Sequence, residues 1–203
     1  EYERLSFVPD WDLHVRGYAV YADGENYFDF YPDTLGINAI GNPQYTGLQG
    51  GLEAATLFSG IADHRLRSAA GLVAYDAHTD QYKNFGPGIP PDHLFGEPVS
   101  LKNTPYIYLE DQSRTVWYVS LQDEWRLAER WELTAGVRYD HYADVGGTTN
   151  PRAALVWETT DRLTAKLMYG RAFRSPSFGE QHFKNNPVSL GNPDIDPETI
   201  GTY

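Results

Sequence analysis

The chain has 203 residues, with 28 Asp and Glu against 16 Lys and Arg for a formal net charge of −12, and no cysteine. That charge leaves a nucleic-acid backbone without an electrostatic partner at the level of the whole chain, and the missing thiols exclude disulfides, thiolate nucleophiles and Cys-ligated metal. No run approaches the roughly 18 apolar residues of a membrane helix, and Glu1 to Val8 lacks the basic start and apolar stretch of a signal peptide; helical spanning is excluded, but not a barrel, whose alternating strands vanish in averaged hydropathy.

In chain order, a short strand is predicted to end near Val8, followed by a tight turn at Pro9 to Asp12 and a strand over Leu13 to Ala22. A long connection, Asp23 to Gly47, leads to a strand at Gly50 to Phe58, and a tight turn at Ser59 to His64 leads to one at Leu66 to Asp76. After the long connection Ala77 to Ser113 the alternation becomes sharp. Trp117, Val119, Leu121, Trp125 and Leu127 fall on one face, with Asp123 the exception, and Tyr118, Ser120, Gln122, Glu124 and Arg126 on the other. Beyond the turn Ala128 to Arg130, Trp131, Leu133, Ala135, Val137 and Tyr139 alternate with Glu132, Thr134, Gly136, Arg138 and Asp140. This period of two is the mark of a strand with one apolar and one polar face. A medium connection at Ala143 to Asn150, strands around Ala153 to Trp157 and Leu163 to Tyr169 joined at Thr159 to Arg162, and a long connection Phe173 to Asp196 lead to a last strand beginning near Pro197. The count is about nine strands, and no helix stands out.

Short and long connections alternate, which puts the short ones at one end of the sheet and the long ones at the other. The clearest strands run about 10 to 13 residues, nearer a tilted membrane-crossing strand than the usual mode of about 5 to 6. Trp117, Tyr118, Trp125, Trp131, Tyr139, Tyr142, Trp157 and Tyr169 cluster where strands end, as in the aromatic girdles of membrane barrels. Periodicity alone leaves two architectures open, a transmembrane barrel and a soluble β-sandwich.

Three stretches carry a resemblance. Trp117 to Tyr142, WYVSLQDEWRLAERWELTAGVRYDHY, resembles the recurring hairpin of the TonB-dependent outer-membrane receptor family; Tyr169 to Gln181, YGRAFRSPSFGEQ, is similar to its strand-to-loop box; and Leu190 to Tyr203, LGNPDIDPETIGTY, to its GNPxLxPE box. The resemblance implies an all-β fold, an antiparallel up-and-down transmembrane β-barrel of about 22 strands, of which residues 1–203 would be a partial segment without plug domain or C-terminal strands. It further implies TonB-coupled import across the bacterial outer membrane of a ferric siderophore, with haem or cobalamin as alternatives. The expected partners are outer-membrane lipid, TonB through the absent plug segment, and the ferric chelate, with no intrinsic cofactor, no resident metal and no nucleic acid.

Arg171, Arg174, Ser175 and Pro176 stand at a strand-to-loop exit. One reading gives the guanidinium groups an anionic chelate to attract; the other makes the box architectural, with Pro176 ending the strand and the arginines paired to acids. His182 lies in the loop between two boxes, where the resemblance implies a haem-iron ligand and the plain alternative is a solvated side chain; His78 and His93 are possible companions. His141 and Tyr142 top a strand and face either the mouth, with Tyr142 a ligand contact, or the lipid headgroups. Gly191, Asn192, Pro193, Pro197 and Glu198 read as turn chemistry without ligand contact. Asp23, Glu25, Asp29 and Asp33, with Tyr27, Phe28, Phe30 and Tyr31, make an acidic, aromatic loop without a calcium-loop pattern, whose rings offer stacking surfaces to a catecholate or haem. No nucleophile elbow, zinc-protease motif or phosphate loop is present. An outer-membrane barrel enzyme and a soluble β-rich binding module are the competing function classes.

Overall fold

The computed structural model describes residues 3–30, 37–186 and 189–203. Tyr31 and Asp33 of the acidic loop lie outside the described residues. In chain order the elements are β1 (Glu3–Val8), β2 (Trp11–Glu25), β3 (Phe28–Asp29), β4 (Ile40–Phe58), β5 (His64–Lys83), β6 (Val99–Ser100), β7 (Gln112–Ala128), β8 (Trp131–Tyr142), β9 (Gly146–Thr160), β10 (Leu163–Arg174), α1 (Phe178–His182) and β11 (Glu198–Thr202). Nine strands form one path in the order β1-β2-β4-β5-β7-β8-β9-β10-β11, with the two-residue β3 and β6 hung on β4 and β5. Every pairing along the path is antiparallel between successive strands, which is the up-and-down architecture expected of a barrel wall. The structure therefore decides between the two architectures that periodicity left open.

Register carries one face through the whole wall. Leu52 pairs with Leu72, Leu72 with Trp117, Leu121 with Val137, Leu133 with Leu155 and Leu155 with Leu167. This apolar face stays uncovered: Leu121 is 53% and Leu167 70% exposed, where a sandwich would bury them under a second sheet. Two aromatic rows bound it. Toward the tight turns, Trp11 packs on Phe58, His64 stacks on Trp125 at 5.0 Å, and Trp131 stacks on Trp157 at 4.9 Å. Toward the long connections, Trp117 meets Tyr139 and His141, and Tyr169 meets Tyr203. Along β7 the rows are eight residues apart, about 27 Å at ~3.4 Å per residue, and a tilt of about 40° shortens this to about 20 Å of membrane normal, near the height of an apolar band.

The opposite face is polar and holds itself together. Arg138 donates to both oxygens of Asp140 at 2.9 and 3.0 Å and lies 3.6 Å over the Tyr118 ring, and the Tyr118 hydroxyl donates to Glu53. Tyr118 also lies on Gly71, where any Cβ would strike the ring. Tyr118 thus faces the lumen, and so does Tyr142, beside Arg114 and edge-on to Phe173; neither belongs to a girdle. A strand-end position identifies height in the membrane but not face, which follows parity.

Several boundaries differ from the sequence expectation. β4, β5 and β7 run 19, 20 and 17 residues, because the hairpins continue past the membrane toward the long connections. The connections at Asp23 to Gly47 and Ala77 to Ser113 shrink accordingly, and the medium one at Ala143 to Asn150 becomes a tight turn, residues 143–145, before Gly146 in its left-handed conformation at φ 81°. The turns at the other end use Asp10 at φ 68° and Asp63 at φ 64°, a conformation that Asp tolerates through local hydrogen bonding. One short helix, α1, appears inside the connection read as loop. Its Ser177 and Glu180 form a reciprocal capping box, the S-x-x-E spacing that was present in the chain.

Candidate functional site

The long connections do not wave free above the wall; they dock on one another at the end opposite the tight turns. Asn84, fully buried at the tip of β5, is the first fastening. Its Oδ1 accepts from the Ile40 backbone N–H at 2.7 Å, and its Nδ2 donates to the carbonyls of Asn38 at 2.8 Å and Gly96 at 2.7 Å. Around it Ala39, Ile40, Leu101 and Ile107 form a small apolar core. A buried Asn with its polar atoms satisfied specifies one arrangement of the strands it joins.

Arg114, near the start of β7 and 10% exposed, is the second. It donates to Asp144 at 2.6 and 2.7 Å, to the Ser175 hydroxyl at 3.0 Å, to the Pro176 carbonyl at 2.9 Å and to Gln181 at 2.6 Å, with the Phe178 ring 4.7 Å away. One guanidinium fork thereby binds the β8–β9 turn and the α1 connection to the wall. The α1 connection also lies on the 84–111 connection. Lys184 N–H donates to Tyr108 at 2.7 Å, Asn185 donates to the Pro105 and Ile107 carbonyls, and the Lys184 ammonium pairs with Glu110 at 3.0 Å.

Between these fastened loops is a cavity of about 550 Å³ whose aromatic walls are Phe28, Phe30, Tyr45, Phe85, Tyr108 and Phe183. Its size and apolar lining suit a small-molecule ligand. Phe30 reaches its place because Gly41 lets the ring approach to 3.0 Å of where a Cβ would stand, and Phe30 meets Phe85 edge-on at 5.2 Å. A second hollow of about 440 Å³ lies deeper on the lumen face, lined by Arg67, Arg138, Arg152 and Arg171 with Asp140 and Tyr142. Four guanidinium groups against one carboxylate give it a positive balance.

The residues singled out from sequence divide between these places. Phe28 and Phe30 line the aromatic cavity, and Arg171 and Tyr142 the cationic hollow. His141 turns the other way, onto Trp117 at the lipid-facing girdle, so neighbouring residues of one strand serve opposite faces. Arg174 is forked onto Glu180 at 2.8 and 2.9 Å and onto Glu198 at 3.0 and 3.1 Å. The guanidinium, followed by the Ser177 bonds, pulls the Glu180 carboxyl down to about 2, and Arg174 likewise lowers Glu198; the fork stays charged at any physiological pH. His182 ends α1, His93 faces the Glu97 carbonyl, and His78 is held between Asp111 at 2.9 Å and Asp76 at 3.6 Å, the Asp111 bond raising its pKa. Among the described residues no group of three His, Cys, Asp or Glu side chains is placed to hold a metal.

The two boxes flanking the α1 connection meet in space. Gly191 N–H donates to Phe183 and Asn192 N–H to Glu180, both at 2.8 Å. A Cβ on Gly191 would stand 2.6 Å from the backbone of Gln181, His182 and Phe183. Gly191→Ala is accordingly expected to loosen this docking by about 1–3 kcal/mol, the usual penalty of overpacking. Faster amide exchange at Gly191 and Asn192, with the strands unchanged, is the measurement; unchanged exchange would mean that the close approach is not required.

Arg114, Asn84 and the cavity walls Phe85, Tyr108 and Phe183 were not foreseen. Nothing local marks them, because their partners lie in other connections.

Residues 1–203 match the family described as TonB dependent receptor-like, beta-barrel. Over 92 residues the chain is 38% identical to the iron-regulated outer membrane virulence protein of Vibrio cholerae serotype O1, covering 43% of this chain and 14% of that protein. Over 88 residues it is 31% identical to the vitamin B12 transporter BtuB of the same organism, covering 43% and 13%. Each match therefore spans about one seventh of the curated relative's length. Among solved structures, the siderophore receptor PirA from Pseudomonas aeruginosa superposes over 98% of this chain and 39% of its own, with a TM-score of 0.52 and 16% identity. The RagAB peptide transporter does so over 98% and 26%, with a TM-score of 0.58 and 10% identity. At those identities the two structures speak for the fold.

Proposed function

Because the chain belongs to the TonB-dependent receptor family of bacterial outer-membrane β-barrels, we propose that its protein binds a ferric siderophore at the extracellular mouth and imports it with energy delivered through TonB. The observation that carries this reading is the aromatic cavity of about 550 Å³ set above the arginine-lined hollow on the lumen face. Aromatic walls stack on the flat arms of a chelate, and guanidinium groups below attract its anionic oxygens. The relatives lend support by name, one iron-regulated and one a siderophore receptor, while the vitamin B12 transporter keeps cobalamin as an alternative, and haem remains one through His182.

In this reading Arg171 and Tyr142 meet the ligand directly from the hollow. Arg174 serves capture by holding α1 in place through Glu180 and Glu198, and His182 adds a contact from the same loop. In this reading the nine-strand wall is part of a larger barrel, a view supported by the edges of the sheet: among the described residues β1 pairs only with β2 and β11 only with β10. No bond of the cargo is made or broken, and passage is the whole chemistry.

The test offers the intact receptor ferric siderophores, haem and cobalamin in separate binding titrations, then follows uptake in cells with and without TonB. Saturable binding of a ferric siderophore, with uptake lost when TonB is missing, is the expected result. Binding of haem or cobalamin alone would move the assignment to that ligand, and uptake independent of TonB would remove the energy coupling.

A further inference from the structure

Five strand pairs of the wall, β1–β2, β4–β5, β7–β8, β8–β9 and β9–β10, are joined by tight turns, and a tight turn fixes which residues face each other. β2 and β4 are joined instead through residues 26–39, and β5 and β7 through residues 84–111. Alternation guards these two pairs against a slip of one residue, which would turn every apolar side chain into the lumen. It does not guard against a slip of two. Trp117 and Leu121 would keep to the lipid face if β7 moved two residues along β5, because side-chain direction repeats at that interval.

Each of the two pairs carries the same device on the lumen face. Tyr18 of β2 lies across Gly51, its direct partner on β4, and Tyr118 of β7 lies across Gly71, its direct partner on β5. A Cβ at either glycine would overlap the ring. The rings are also held from above and at the tip: the Tyr18 hydroxyl oxygen accepts from Gln49 at 3.1 Å under Arg16 at 4.9 Å, and Tyr118 donates to Glu53 of β4 under Arg138 at 3.6 Å. Tyr118 thereby spans three strands. At the pairs joined by tight turns, no described glycine has a tyrosine lying on it from directly across; Tyr139 reaches Gly147 only from the neighbouring register position, since its own partner is Thr149. β10 and β11, whose connection is also long, have Arg174 directly opposite Glu198 and paired to it.

A slip of two residues in either direction brings Ala69 or Val73 under the Tyr118 ring, and Gln49 or Glu53 under the Tyr18 ring. Each ring has room only over its glycine. We propose that Tyr118 on Gly71 and Tyr18 on Gly51 are register pins, positioning residues that set the height at which the mouth connections meet. Moving β7 two residues along β5 displaces it by about 7 Å. That parts Asp111 from the Thr79 N–H, from which it accepts at 2.8 Å, and carries Arg114 past Tyr75, which it now opposes. The pins touch no ligand and act through the connections whose feet they place.

Residues 1–203 hold no cysteine, so engineered pairs report register in the intact receptor. Val119→Cys is combined in turn with Ala70→Cys, its present partner, and with Ser68→Cys and Leu72→Cys, its partners after a slip of two; only directly opposed residues come within disulfide reach. With Tyr118 in place the disulfide should form at the Ala70 pair. Tyr118→Ala should move about a tenth or more of the cross-linked receptor to the Ser68 or Leu72 pair, as expected of a weakly specified register, and lower the amide protection of Thr79 with it. Tyr118→Phe, which keeps the ring on Gly71, should behave as wild type. A side chain that only adds stability would lower the yield of assembled receptor and leave the disulfide at Ala70, and that result overturns the inference. Should Tyr118→Ala fail to assemble, Tyr18→Ala repeats the test on β2 and β4, with Val15→Cys against Ala54→Cys for the present register and Leu52→Cys or Thr56→Cys for the slipped ones. Disulfides at Ala54 alone overturn it there.

Discussion

Leu121→Arg is expected to prevent assembly of the barrel in the outer membrane, while Thr134→Arg on the neighbouring strand is accommodated. Leu121 lies midway between Trp117 and Trp125 on the apolar face, pairs with Ser68 and Val137, and is 53% exposed, which in the membrane means exposed to lipid. A guanidinium at that depth costs about 2–4 kcal/mol, a large share of a folded protein's margin of roughly 5–15 kcal/mol. Thr134 has the opposite parity and pairs with Glu124; an arginine there enters an aqueous lumen beside a carboxylate. The measurement is the heat-modifiable gel mobility of the intact receptor in outer-membrane fractions. Equal assembly of both variants would mean that the Leu121 face is not the lipid face.

Arg114→Ala is expected to detach the α1 connection from the wall and cost the mouth most of its ligand affinity. The side chain is 10% exposed and its Asp144 partner 24% exposed, so solvent screens the pair little. Removing one member of such a buried pair typically costs about 3–5 kcal/mol, because the other charge is left without a partner. Here Gln181, 3% exposed, and the Pro176 carbonyl lose their donor as well. Phe183, Asn186 and Ser189, which border the aromatic cavity, belong to the released segment. Ligand binding weaker by at least tenfold, with rapid amide exchange confined to residues 175–197 and normal barrel assembly, is the expected pattern. Arg114→Lys should restore the Asp144 pair without the full fork and fall between. Full affinity in Arg114→Ala would show that the cavity does not depend on this fastening.

The alternation of Trp131 to Tyr139 needed no tertiary information to read, because side-chain direction in a strand reverses at every residue whatever surrounds it. The faces of β7 and β8 were legible on that basis, and the alternation of connections placed the turns after β1, β4, β7 and β9 at one end; the family boxes were legible as motifs. The extent of the strands was not. β4 and β5 continue as a hairpin beyond the membrane, where the demand for an apolar face lapses and periodicity fades; only pairing such as Thr46 with His78 and Tyr45 with Thr79 keeps them extended.

The site was legible only in part, and for a related reason. Phe28 and Phe30 could be noticed as rings beside acids, yet Phe85, Tyr108 and Phe183 join them through folding of three separate connections. Arg114 finds Ser175, Pro176 and Gln181 at 61, 62 and 67 residues' distance, and Asn185 finds Pro105 at 80. Such contacts have no period and leave no local trace, since loop closure depends weakly on length and any of many arginines had the same chemistry to offer. The sequence by itself determined a wall with a lipid face and a water face, because membrane and lumen act on every residue of a strand alike. Tertiary structure alone decided which loop atoms meet and why Arg174 is forked between Glu180 and Glu198. Those outcomes turn on distance and direction between segments remote in the chain.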